Sequence, residues 1–353
     1  MMDNLGTMRA TSHEPRATSH EFELCPEFEL CPKFSIIVPA YNCEKYIAKA
    51  LDSLVNQDIP IRNYEVIITD DGSTDRTGTI CDTYAQKFPF IHVTHTDNHG
   101  PSHARNIALP QCRGEYITFC DADDFVSPHM LSVLTKTAEL QGQPDFIIWR
   151  FTKNENIRWP AYEQPGRMEF SDGEELCYRI LLDNITGGFT PNKALRRSLI
   201  GDVRFDESLS YCEDVDWFVR LLNGREGLRV CFTECQLYCY VHHPNIGLTR
   251  DTARSHTQDG FPRMIQALMK ILNMTGLADR QRGLVKRSIY QKALAALWRR
   301  PVKQSSEVYA ELRRLIRDYA SDYYSSPAAP LWKKIAFIIV HVLVLFHVHQ
   351  PHW

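Results

Sequence analysis

The 353-residue sequence has no surplus of positive charge: 40 Lys and Arg stand against 43 Asp and Glu. Such a balance gives no support for nucleic acid as the main partner. No secretory signal opens the chain, because the first 33 residues lack an apolar segment. The 11 cysteines contain no CxxC pair, and most sit in apolar runs, as Cys120 does after Tyr116-Ile117-Thr118-Phe119. Free buried thiols in a reducing compartment are therefore expected. Cys231, Cys235 and Cys239, followed by His242 and His243, have the spacing of a metal cluster, but without a CxxC pair a structural zinc is disfavoured. No apolar run reaches the ~20 residues of a membrane span. A Gly-rich phosphate turn is also missing after the first apolar run, where Pro39-Ala40-Tyr41-Asn42 stands instead, and this excludes a dinucleotide oxidoreductase.

Residues 1–32 hold two short tandem duplications: Arg9–Pro15 is echoed by Arg16–Phe22, and Glu21–Pro26 by Glu27–Pro32. Repeats this short and polar cannot build a core, so a disordered leader is expected. From residue 33 to 250 short apolar runs alternate with amphipathic segments. Phe34–Val38, Glu65–Thr69, Ile91–Thr94 and Tyr116–Phe119 read as buried strands. Ile47, Ala50, Leu51 and Leu54 fall at helical spacing behind Asn42 as a cap; Thr77, Ile80, Cys81 and Tyr84 do the same behind Ser73-Thr74-Asp75. A third helix is predicted to begin near Pro101. The class is α/β, a mostly parallel Rossmann-like sheet with helices on both faces. Helical patterns such as Met264, Ile265, Leu268, Ile271 and Leu272 dominate residues 251–325. Residues 326–353 carry Trp332-Lys333-Lys334 and a 14-residue apolar run from Ile335 to Val348, which fits either an in-plane membrane anchor or a buried terminal helix.

Ligands of such sheets sit beyond the carboxyl ends of the strands. There the chain places Pro39-Ala40-Tyr41-Asn42, then Asp70-Asp71-Gly72-Ser73, then Asp121-Ala122-Asp123-Asp124. Alone, the last could be a solvated acidic turn. At the end of a buried strand, clustered carboxylates are costly unless a cation neutralises them. Hard oxygen ligands suit Mg²⁺ or Mn²⁺, which would in turn bind a diphosphate.

The strings Ser35-Ile36-Ile37-Val38-Pro39-Ala40-Tyr41-Asn42, Asp70-Asp71-Gly72-Ser73-Thr74-Asp75, Gly100 with Ala104-Arg105-Asn106, and Asp121-Ala122-Asp123-Asp124 together resemble the family 2 glycosyltransferases. The resemblance runs over residues 33–250 and implies the GT-A fold, a nucleotide-sugar donor, UDP-linked, and an inverting mechanism. It implies that Pro39 and Tyr41 lie against the base, that Asp71 accepts from a uracil N3–H, and that Arg105 lies beside the nucleotide. It assigns Asp121 and Ala122 to the donor, and Asp121 and Asp123 to the metal. Helix capping stays open for Asp70, Asp71, Ser73 and Asp75, and a surface ion pair for Arg105. Tyr211-Cys212-Glu213-Asp214 resembles the family's ED motif, with Cys212 where many relatives carry Gly. Inverting transfer needs a base for the acceptor hydroxyl, and Asp214 is the candidate, with Glu213 supporting it. An acidic helix start is the alternative. His243, or His242, could complete the metal shell.

The basic stretch Asn192–Arg197 resembles a segment before the ED motif, where it would meet phosphate or solvent. The expected acceptor is a hydroxyl of a glycan or lipid-linked sugar in cell-envelope polysaccharide synthesis. The expected location is cytoplasmic, peripheral on the inner face of the membrane. A sugar nucleotidyltransferase would share substrate and metal but usually shows a Gly- and Arg-rich loop after the first strand, which is missing. A non-catalytic nucleotide-sugar-binding protein is the other alternative, and the intact acidic motifs argue against it.

Overall fold

The computed structural model describes residues 31–159, 167–171, 173–182, 188–209, 211–241, 257, 261–299, 305–325, 334–335 and 338. The duplications of the expected leader lie almost wholly outside these residues, as do His242, His243 and nearly all of the expected membrane-associating tail. Among the described residues no helix is long and apolar enough to cross a membrane.

The chain runs β1 (Phe34–Ala40), α1 (Ile47–Val55), β2 (Tyr64–Asp71), α2 (Thr77–Lys87), β3 (Ile91–Thr96), α3 (Pro101–Ala108), β4 (Tyr116–Phe119), β5 (Phe125–Val126) and α4 (Met130–Leu140). It continues through β6 (Phe146–Thr152), β7 (Arg167–Ser171), α5 (Gly173–Leu182), β8 (Lys193–Arg196), α6 (Arg197–Ile200), α7 (Glu213–Leu222) and β9 (Leu228–Cys239). Three helices follow: α8 (Arg263–Leu272), α9 (Asp279–Arg299) and α10 (Ser306–Tyr324). The strands form one sheet in the order β3-β2-β1-β4-β8-β6-β9-β5, with β7 added on β9. From β3 to β4 all neighbours are parallel. β8 then runs antiparallel to both β4 and β6, so the far half is mixed. All four strands expected from the apolar runs are present, and the carboxyl ends of β1, β2 and β4 lie on one edge.

Alternation along the strands divides the core in two. Ile36, Val38, Val66 and Ile68 face a cluster with Ile47, Leu51 and Leu54 of α1, while Ile37, Ile67, Ile117 and Phe119 face the opposite one. Both faces being covered explains why these strands read as continuous apolar runs. The second cluster also takes in Trp217 and Phe218 of α7, Ile265 and Leu268 of α8, Leu284 and Ile289 of α9, and Leu312 and Leu315 of α10. The C-terminal helices therefore complete the core under one face of the sheet.

One capping expectation is corrected. Asn42 does not cap α1, which starts at Ile47 after Tyr46 and has no side-chain cap. Asn42 has φ 46°, and its Oδ1 accepts from the Thr74 N–H at 2.8 Å, so it ties the loop after β1 to the loop after β2. Near α2 the expectation holds in part: Asp75 Oδ1 accepts from the Thr77 N–H at 2.9 Å, at the first residue of that helix.

Candidate active site

The donor-side wall is made by the loops that leave β1 and β2. Beyond the Asn42–Thr74 bond, the Asn42 N–H donates to Ser73 Oγ at 3.0 Å, and the Glu44 N–H to Asp75 Oδ2 at 3.1 Å. Gly72 makes the turn possible: its φ is 72°, and a Cβ there would stand 2.7 Å from the Asn98 nitrogen. Above this stitched pair of loops Tyr41 is 49% exposed, so its ring is free to stack, while Pro39 is half-buried at the end of β1.

Asp71 is buried and accepts two backbone N–H groups, His99 on Oδ1 at 3.0 Å and Gly100 on Oδ2 at 2.7 Å. It thereby anchors the start of α3, where Gly100 takes φ 95° and Pro101 occupies the first turn. Asp70 turns the other way, toward His95 Nδ1 at 2.9 Å, whose Nε2 reaches Asp82 at 3.0 Å. The two carboxylates raise the imidazole's pKa. Asp71 thus holds the loop that enters α3, not the helix that follows it in sequence.

The anchored α3 delivers Arg105, buried, into the middle of the site. Its Nη1 lies 3.0 Å from Glu213 Oε1 and 3.2 Å from Asp214 Oδ1, and its Nη2 lies 3.6 Å from Asp121 Oδ1. Burial opposes the guanidinium charge, but the carboxylates of Asp214, Glu213 and Asp121 outweigh it. One cation therefore joins the acidic turn after β4 to the acidic start of α7, from a position 108 residues before Glu213. A planar fork with five donors is suited to such sharing. Neither an exposed surface ion pair nor a free cation describes this residue.

Within the acidic turn the members differ. Asp124 is buried and structural in its contacts: Tyr238 Oη donates to its Oδ2, and the Val241 N–H donates to Oδ1 at 2.7 Å. The same Tyr238 oxygen accepts the Asp121 N–H at 3.2 Å, so the end of β9 clamps the turn. Ala122 is 6% exposed and packs into the core. Asp121 and Asp123 keep partial exposure. Burial pushes the Asp121 carboxyl up, Arg105 pulls it down, and the Asp123 charge pushes it up again.

Among the described residues no three His, Cys, Asp or Glu side chains converge on a preformed cation site, and His243 lies outside them. Two like-charged carboxylates on one turn still fit Mg²⁺ or Mn²⁺, which are commonly held by one or two carboxylates plus substrate phosphates and water. Cys231, Cys235 and Cys239 are buried along β9.

The opposite wall is the start of α7. Cys212 precedes it with φ 63°, the left-handed conformation that Gly adopts most readily. Its Sγ meets Met264 Sδ of α8 at 3.0 Å. Asp214 is almost enclosed. Burial pushes its carboxyl up to about 7, opposed by Arg105 and reinforced by the Glu213 and Asp121 charges; the Thr190 N–H, 3.3 Å from Oδ2, favours the ionised form. The stretch expected to meet phosphate or solvent is not uniformly solvent-facing. Lys193 is fully buried, Arg196 pairs with Glu115 at 3.0 Å, and Arg197 donates to the Gly114 carbonyl at 3.0 Å. Thr190 and Tyr238 are parts of the site not expected from sequence, and Lys193, expected to meet phosphate or solvent, is turned into the core instead. For Lys193 a signal existed, since strand alternation in Lys193-Ala194-Leu195 puts it on the face of the core residue Leu195.

The model of glycosyl transferase family 2 matches residues 35–204. The chain is 32% identical over 253 residues to the uncharacterized glycosyltransferase EpsJ of Bacillus subtilis, covering 69% of this chain and 71% of that protein. It is 34% identical over 183 residues to the poly(ribitol-phosphate) beta-N-acetylglucosaminyltransferase TarS of Staphylococcus aureus, covering 51% of this chain and 30% of TarS. Solved structures share the fold. TarS superposes with a TM-score of 0.61 at 21% identity, over 91% of this chain and 56% of that one, and its residues 1–349 have been solved with UDP-GlcNAc. A mannosyltransferase of Pyrobaculum calidifontis, solved with GDP-Man and Mn²⁺, superposes at 0.52 and 16% identity, over 89% of this chain and 81% of that one.

Proposed function

The chain belongs to the family 2 glycosyltransferases, with the GT-A fold, and from that membership we propose that it moves a sugar from UDP to an acceptor hydroxyl by single displacement with inversion. The observation that carries this reading is the convergence of Asp121, Glu213 and Asp214 on the Arg105 guanidinium. It draws a donor-side motif and an acceptor-side motif into one electrostatic unit.

In this reading Tyr41, with Pro39, lies against the base, and Asp71, already holding the start of α3, keeps lone pairs for the uracil N–H. Asp121 and Asp123 would hold Mn²⁺ or Mg²⁺, which when bound stabilises charge on the departing diphosphate. Arg105 keeps Asp121 and Asp214 at a fixed separation. Asp214 takes the proton of the attacking hydroxyl, and Glu213, pinned by Arg105, holds the start of α7 in place. A pyrimidine donor is supported by the TarS structure with UDP-GlcNAc. The acceptor we propose is a hydroxyl of a glycan or lipid-linked sugar of the cell envelope. The setting we propose is the inner face of the cell membrane, with Trp332-Lys333-Lys334 and the following apolar run as the peripheral anchor.

The direct test is release of UDP from UDP-GlcNAc by the full chain with Mn²⁺, without and with candidate acceptors. No release with any UDP-sugar would overturn the reading. Asp123→Asn is expected to weaken Mn²⁺-dependent UDP binding by roughly tenfold or more, as loss of a ligand should. Calorimetry with and without EDTA measures this, and binding indifferent to EDTA would remove the metal from the scheme.

The pH dependence follows from Asp214. A base with a carboxyl near 7 must be ionised to act, so turnover should fall as pH drops through about 7, well above the ordinary aspartate value of about 3.9. Between these two values the folded site holds a proton that the unfolded chain has released. This group's contribution to stability therefore declines as pH rises across that window. A pH–rate profile of UDP release with its acid limb near 4 would contradict the assignment.

A further inference from the structure

The Lys193 ammonium stands out because nothing in the reaction scheme uses it. Lys193 opens β8, is 0% exposed, and donates to the Phe189 carbonyl at 2.7 Å and to Asn192 Oδ1. The rings of Phe189 and Phe218 lie 5.0 and 5.3 Å from its nitrogen. Asn192 is itself fixed, donating to the Trp149 carbonyl at 3.0 Å. A side chain of Met would fill the same space without a buried charge.

We propose that Lys193 is a positioning residue for Asp214, holding by its carbonyl end the peptide group whose N–H end grips the Asp214 carboxylate. The Phe189 carbonyl and the Thr190 N–H belong to one planar unit. Lys193 binds its oxygen and Asp214 Oδ2 accepts from its nitrogen at 3.3 Å. A hydrogen bond to the oxygen polarises the amide and strengthens the N–H as a donor. The segment lies directly against α7: a Cβ on Gly188 would stand 2.6 Å from Val215 Cγ2. Burial draws Lys193 down to about 7 while the Asp214 charge pulls it back up, so the two groups are electrostatically in contact across the peptide. The other charges acting on Asp214 are Arg105 from α3, Glu213 from its own helix and Asp121 from the turn after β4.

The inference rests on Asp214 as the base, and the test separates the two. Lys193→Met and Lys193→Gln are made in the full chain, and UDP release from UDP-GlcNAc with Mn²⁺ is followed with water as acceptor. Lys193→Met should lower kcat roughly 10- to 100-fold with the KM for UDP-GlcNAc changed by less than about threefold. Lys193→Gln, which keeps a donor to the Phe189 carbonyl, should lose less, and carries the comparison if the Met variant does not fold. In an Asp214→Asn background neither change should lower the residual rate further, because no base then remains to be positioned. Full kcat in a folded Lys193→Met, or an equal further loss in the Asp214→Asn background, would overturn the role of Lys193. An Asp214→Asn protein with unchanged kcat would instead overturn the base assignment on which it rests.

Discussion

Asp214→Asn is expected to lower sugar transfer by roughly 10²- to 10⁴-fold, the range for loss of a general base, while UDP affinity stays within a few-fold. The amide keeps an oxygen for the Thr190 N–H and nearly the same volume, so the pocket should be undisturbed. The melting temperature should hold or rise, since burial already makes the ionised form of Asp214 costly, as its carboxyl near 7 records. Loss of turnover without loss of stability or UDP binding separates a proton acceptor from a residue that merely begins a helix. An equal fall in turnover and in UDP affinity would point to a structural role instead.

The second large effect is on stability. Arg105→Met removes the guanidinium that lies within 3.6 Å of the Asp121, Glu213 and Asp214 carboxylates. Three like charges would then face each other, Glu213 and Asp214 with little water, and breaking a buried ion pair from one side commonly costs about 3–5 kcal/mol. Urea unfolding near pH 8 should show a loss of that order. Part of it should return near pH 5.5, because carboxylates that have lost their counterion protonate more readily and so relieve the repulsion. Arg105→Lys keeps the charge but presents a point rather than a fork, so it should fall between. A loss below about 1 kcal/mol at pH 8 would mean that water reaches the three carboxylates.

Much of this arrangement is legible in the chain. Ile36-Ile37-Val38 and Val66-Ile67-Ile68 announce a sheet covered on both faces, and the acidic groups follow the strands at the edge where ligands bind. Long-range pairing is harder to read. Nothing local to Arg105 says that its partners lie at Glu213 and Asp214, because the fork is satisfied by the closing of the fold and not by neighbours on its helix. Asn42 shows the opposite failure: it stands where a cap belongs, yet its backbone turns to φ 46° and the side chain serves the next loop. Lys193 was hidden by chemistry, since a basic residue beside Arg196 and Arg197 suggests phosphate or solvent, and only its strand phase points inward. The mixed far half of the sheet escaped because β8 has just four residues and its antiparallel pairing is fixed by partners distant in sequence. At Cys212 the backbone takes the left-handed conformation that Gly would take freely.

The shared cluster under the second face of the sheet bears on where this enzyme can be cut. Trp217, Phe218 and Leu222 of α7 are buried in the cluster that also contains Ile265, Leu268, Leu284 and Leu312. A shortened protein ending near residue 250 would leave an oily wound on the helix that begins with Asp214. Such a fragment should come out of expression aggregated or chaperone-bound, even though every residue given a part in the chemistry is present. The last three described helices are therefore cargo that must travel with the catalytic half whenever it is grafted, trimmed or fused.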